Sequence, residues 1–185
     1  MDRGKLLRRA VHMSTPLFLV YYFLPDPLLW GIDNRVSLLL LYVGVMTFEL
    51  LRLIFEPTII GMREYERYRV SAAAWASTAF TVAFVLFPFE FAAPAMIGMG
   101  LVDPLIGELR FRSSHLYPML PAGVYLTITF VSLASLIEAE LSLIAMASLT
   151  ATFLALAVER MRTRVVDDDF LMVIVPMIGL ELMLA

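Results

Sequence analysis

The stretch VVDDDFLMVIVP places three consecutive carboxylates, Asp167, Asp168 and Asp169, directly before a run apolar enough to enter a lipid bilayer. Carboxylates at such a boundary can cap a helix, where they meet the positive end of its dipole. They can also offer oxygen ligands to a hard cation or line a phosphate site. Asp167, the first of the three, is the natural plain cap. A fourth acidic residue, Asp103 in MIGMGLVDPLIGELR, falls about one and a half helical turns inside an apolar segment. An ionised group is costly there and usually lines a polar cavity. Pro104 frees a backbone carbonyl beside it, and Gly98, Gly100 and Gly107 permit close approach of backbone or ligand. Both a structural, proton-sharing Asp and a ligand or Mg2+ site fit this pattern.

Basic and hydroxylic residues suited to anions accompany these carboxylates. The connection GMREYERYRV carries Arg63, Arg67 and Arg69 among Glu64 and Glu66, at spacings that allow pairing within a short interfacial helix. Any arginine left over presents a guanidinium fork suited to phosphate. Arg110 and Arg112 follow Asp103, and the adjacent Ser113 and Ser114 suit either a phosphate contact or an ordinary loop. Glu108 stands five residues after Asp103 and reads as a surface cap; Glu49 and Arg52, three apart, read as an internal salt bridge. His12 opens the first apolar segment, where it meets headgroups or faces a shared cavity, and His115 lies in a loop. A phosphate loop of the G-x-x-x-x-G-K-[ST] type and a dinucleotide fingerprint are both absent. The arginines alternate with apolar segments rather than forming a basic aromatic stripe, which argues against nucleic acid as a partner.

The elements that must position these groups are helices in lipid. Of the 185 residues, 61% are hydrophobic and 17% charged, far from the roughly 45–50% and 25% of soluble domains. The apolar residues run the whole length of the sequence, the pattern of a membrane protein rather than of a secreted domain behind a leader. Without cysteine there are no disulfides, thiolate nucleophiles or Fe–S ligands. Seven segments, 13–32, 36–55, 70–88, 91–109, 121–137, 141–158 and 170–184, are apolar on all faces and near the length that spans a bilayer. The expected fold is therefore an all-α, single-domain transmembrane bundle of about seven spans covering 1–185. With the N-terminus inside, 13 of the 14 Lys and Arg residues fall on the cytoplasmic side and only Arg35 outside. The outer connections are brief, so the chemistry belongs to the cytoplasmic face or the bilayer.

The order of these features resembles the integral-membrane family of CTP-dependent lipid-alcohol kinases, which includes dolichol and phytol kinases, with the cytidylyltransferases as neighbours. LLRRAVHMSTP is similar to the family's early basic and histidine segment, EYERYRVSAAAWA to its charged connection into a small-residue span, GLVDPLIGELRFR to its Gly-Asp helix and basic loop, and VVDDDFLMVIVP to its Asp-Asp-Asn-Leu segment. The resemblance covers most of the chain in order. It departs at Val102, at Phe170 and at the late Pro176, and in a loop, RFRSSHLYPMLPAG, that carries arginine where the family carries lysine.

The resemblance implies a bacterial or archaeal plasma-membrane enzyme that phosphorylates a polyprenol-like or other lipid alcohol, with CTP as donor and Mg2+ as cofactor. It assigns Asp103, Asp168 and Asp169 to the metal and nucleotide region, Arg67, Arg110, Arg112 and Ser113 to the nucleotide phosphates, and the general base to an aspartate or His12. Cytidylyl transfer to a lipid phosphate is the related alternative, and a non-catalytic membrane homologue is a third. A transporter using Asp103 as an ion site is disfavoured because the outer halves of the spans carry almost no polar residues. Membrane lipids are partners in every case, and self-association into a homo-oligomer is open.

Overall fold

The computed structural model describes residues 3–28, 31–57, 59, 62, 64–112, 115–161 and 166–184. Helices make up the described structure, and no β-strand occurs among these residues. In chain order they are α1 (Arg3–Met13), a 3₁₀ segment (Thr15–Phe23), α2 (Asn34–Phe55), a second 3₁₀ segment (Glu64–Tyr68), α3 (Ala72–Leu86), α4 (Phe89–Phe111), α5 (Met119–Leu136), α6 (Leu141–Arg160) and α7 (Asp168–Leu184).

Four of these helices, α2, α4, α5 and α6, are long and apolar enough to cross a membrane. α7, with 17 residues, and α3, with 15, are shorter, reaching about 26 and 23 Å at 1.5 Å per residue. The segment expected to span over 13–32 departs most from expectation. α1 ends at Met13 and a nine-residue 3₁₀ segment replaces the expected α-helix, covering only about 18 Å at 2.0 Å per residue. Proline supplies the reason. Pro16, Pro25 and Pro27 have no N–H to donate, so hydropathy continues through a stretch in which the α-helical ladder cannot.

α4 is the centre of the fold. Its apolar stretch is 61% buried, against 11% for α2, and it packs on α1, the first 3₁₀ segment, α5 and α7. α6 lies between α5 and α7, while α3 bridges α2 and α7. The core is built from small and flexible side chains, including Ala92, Met96, Met99, Ala147, Met172 and Met177, which lets the helices approach closely. Gly98 of α4 receives the ring of Tyr125 from α5. Outside, Leu40, Val43, Phe48 and Phe55 of α2, Phe153 of α6 and Leu182 of α7 remain exposed. Apolar surface on this scale suits contact with hydrocarbon.

Charged contacts stitch the helices together at the end where α1 meets α4. Arg9 of α1 pairs with Glu108 of α4, which also accepts from Arg112. Glu49 and Arg52 form a buried pair through two hydrogen bonds of 2.9 and 2.7 Å. Arg52 also donates to the carbonyls of Glu66 (2.9 Å) and Arg69 (2.6 Å). Glu49 in turn accepts from the Ser71 backbone N–H at 2.6 Å and its hydroxyl at 3.1 Å. The same hydroxyl accepts from the Ala74 N–H, capping α3. One ion pair thus fixes the end of α2, the second 3₁₀ segment and the start of α3.

Candidate functional site

Three side chains from three elements converge at this end. His12, in the last turn of α1, places Nε2 3.4 Å from Asp103 Oδ2 of α4 and 3.7 Å from Asp169 Oδ2 of α7. One ligand atom from each of the three lies within 4.8 Å of the other two. Their side chains are 13%, 20% and 5% exposed, respectively.

The sequence builds this meeting point locally. Gly100 precedes Asp103 by one turn and shares its helix face. A Cβ on Gly100 would sit 2.9 Å from the His12 carbonyl oxygen and 3.1 Å from Pro16 Cδ. The bare glycine therefore lets the junction of α1 and the 3₁₀ segment lie against α4. Pro104 removes the donor that would bond the Gly100 carbonyl within α4. From the other side, α7 starts at Asp168 beside α3, where Trp75 meets Phe170 edge to face at 5.5 Å. The Asp167 carbonyl accepts from the Leu171 N–H, which starts the helix, and Asp169 is directed inward at 3% exposure. Gly100→Val is expected to force the His12 backbone away from Asp103. It should weaken divalent-cation binding about tenfold or more, the scale set by displaced supporting groups, while circular dichroism still reports the full helical content.

Two carboxylates held this close and largely out of water repel one another unless a proton or cation lies between them. Carboxylate oxygens suit Mg2+, whose 2.1 Å bonds set neighbouring ligands about 3.0 Å apart and opposite ones about 4.2 Å apart. The imidazole lies 3.4 and 3.7 Å from the two carboxylates, between these limits, and the ligand atoms of all three residues lie within 4.8 Å of one another. The donor set therefore fits a hard divalent ion held by Asp103 and Asp169, with the imidazole as ligand or adjacent acid–base group. Asp168 belongs to a second acidic group with Asp167 and Asp169; of the adjacent pair, it is Asp169 that meets His12 and Asp103.

A fourth carboxylate was not visible as a site residue. Glu159 of α6 is only 4% exposed and lies within electrostatic reach of Asp103 and Asp168. Ending the sixth apolar segment at residue 158 assigns Glu159 to the surface; the helix continues to Arg160 and keeps it inside. Its signal in the sequence is a lone Glu directly continuing an otherwise apolar helix.

Each described arginine expected at phosphates has a carboxylate partner. Arg110 forks onto Glu159 at 2.6 and 2.7 Å, donates to the Tyr117 hydroxyl at 2.6 Å and lies 4.9 Å from the centre of that ring. Arg112, with its side chain 72% exposed, pairs with Glu108 at 2.5 Å. Arg67, 53% exposed, pairs with Glu56 at 3.3 Å, a partner outside its own 3₁₀ segment. Ser113 lies outside the described residues. Comparison with family models, curated proteins and solved structures finds no match for the chain.

Proposed function

We propose that the protein is a Mg2+-dependent phosphotransferase that moves the terminal phosphoryl group of CTP to the hydroxyl of a polyprenol-like or other lipid alcohol. In this reading all seven segments cross or enter the bilayer, and the His12 end faces the cytoplasm, as the one-sided distribution of Lys and Arg favours. The observation that carries the proposal is the meeting of His12, Asp103 and Asp169 at one end of the bundle. The family resemblance attaches chemistry to these same residues, and they come from elements more than fifty residues apart.

Asp103 and Asp169 would hold the cation, which when bound neutralises charge on the transferring phosphoryl group. His12 would accept the hydroxyl proton at Nε2 as the lipid oxygen bonds to the terminal phosphorus. The bond from that phosphorus to its bridging oxygen breaks, and CDP leaves. Arg110 and Arg112 follow Asp103 on α4 and would exchange carboxylate partners for the nucleotide phosphates. Exposed apolar helix flanks would let the acceptor chain remain in lipid while its hydroxyl reaches the polar end.

The test uses the full chain in nanodiscs with Mg2+, polyprenol acceptors and CTP labelled separately at the α and γ phosphates. Label from the γ position in the lipid product supports the proposal. A CDP-lipid with release of pyrophosphate assigns cytidylyl transfer instead, and absence of both turnover and CTP–Mg2+ binding assigns a non-catalytic homologue.

A further inference from the structure

An open polar groove lies at the opposite end of the bundle. It holds about 500 Å³, and its lining includes Tyr21, Asp26, Asn34, Arg35 and Phe89. Phe89 begins α4, and Asp103 stands fourteen residues further along that helix, which separates the two sites by about 21 Å.

Arg35 is in an unfavourable place on two counts. It is the only Lys or Arg on its side of the expected topology, against the usual basic asymmetry. It also sits in the first turn of α2, where the helix dipole disfavours a cation. Asp33 accepts from the Arg35 and Val36 N–H groups at 2.7 and 3.2 Å and thereby serves as the helix cap. No ion pair engages the Arg35 guanidinium among the described residues.

Hydrogen-bond acceptors line the same groove. Asn34 donates its backbone N–H to Asp26 Oδ1 at 3.1 Å and its amide Nδ2 to the Leu24 carbonyl at 3.3 Å. The Tyr21 hydroxyl lies within electrostatic reach of Arg35, Asp33 and Asp26. A simple anion would satisfy Arg35 but would be repelled by Asp26. A ligand with both an anionic and a donor-bearing cationic end satisfies both.

We infer that this groove binds the headgroup of a zwitterionic phospholipid carrying a primary ammonium. The phosphate meets Arg35, and the ammonium N–H groups meet Asp26. The position favours a lipid over a soluble ligand: Leu86 of α3, which lines the groove, and Leu39 and Leu40 of α2, about one turn beyond Arg35, are exposed, and Tyr21 and Tyr22 suit a membrane–water interface.

Thermal unfolding of the full chain in detergent, with short-chain phospholipids titrated in, tests this inference without reference to catalysis. A phosphoethanolamine lipid should stabilise the protein more than its phosphocholine counterpart, whose nitrogen has no N–H to donate. Arg35→Gln should weaken lipid binding about tenfold or more, and Arg35→Lys should retain most of it. Asp26→Asn keeps the acceptor for the Asn34 N–H but removes the charge, so it should abolish the preference for ethanolamine over choline. Equal binding of both headgroups by the unaltered protein, an unchanged response in Arg35→Gln, or equal stabilisation by inorganic phosphate alone would overturn it.

Discussion

Asp169→Asn is expected to reduce Mg2+-dependent phosphoryl transfer at least about a thousandfold, equivalent to about 4 kcal/mol of lost transition-state stabilisation. Asparagine has nearly the same shape and remains compatible with the first turn of a helix, so the bundle should persist. What disappears is the charge of a carboxylate that is 3% exposed and lies 3.7 Å from His12 Nε2. Asp167→Asn provides the contrast. Asp167 stands at the start of α7, where its backbone carbonyl accepts the Leu171 N–H, and the substitution leaves that bond intact. Its expected effect is within about threefold, because asparagine retains helix-starting capacity and Asp167 lies outside the group formed by His12, Asp103 and Asp169. Product formation from γ-labelled CTP, normalised to folded protein, separates the two variants.

The second large effect concerns stability. Arg52→Leu should destabilise the protein by about 3–5 kcal/mol, since it leaves the buried Glu49 carboxylate without its cation. It also removes the donors to the Glu66 and Arg69 carbonyls. The double variant Glu49→Leu/Arg52→Leu should be less destabilised than Arg52→Leu alone, because no uncompensated charge remains. Part of the loss should persist in the double variant, since the two carbonyls and the Ser71 N–H lose their partners as well. Thermal unfolding in a single detergent, followed by circular dichroism, measures the ordering. Equal stability of wild type and Arg52→Leu would show that this network does not hold the second 3₁₀ segment and α3 in place.

Helical character was legible because apolarity on all faces of a segment is a backbone-independent signal of burial in lipid or core. The break after Met13 was not, because hydropathy counts Pro16 as neutral and overlooks its missing N–H. In the site, Asp103 and Asp169 stand out as carboxylates beside or within apolar runs. Which of Asp168 and Asp169 turns inward depends on the rotation of α7, and no sequence spacing fixes that rotation. The partner of Arg110 is 49 residues away, beyond the reach of local pairing rules, so its fork onto Glu159 emerges only from the packing of α4, α5 and α6. Local pairing succeeds where partners share a helix: Glu49 and Arg52 are bonded as their spacing suggests.

The most direct test of the central claim is Mn2+ binding, counted by electron paramagnetic resonance on the full chain in detergent, with Mn2+ in place of Mg2+. If Asp103 and Asp169 jointly hold the cation, Asp103→Asn and Asp169→Asn should each weaken binding at least about tenfold. His12→Gln should weaken it by no more than Gly100→Val does, while losing phosphoryl transfer. Unchanged Mn2+ affinity in both aspartate variants, with their folds intact, would contradict the account.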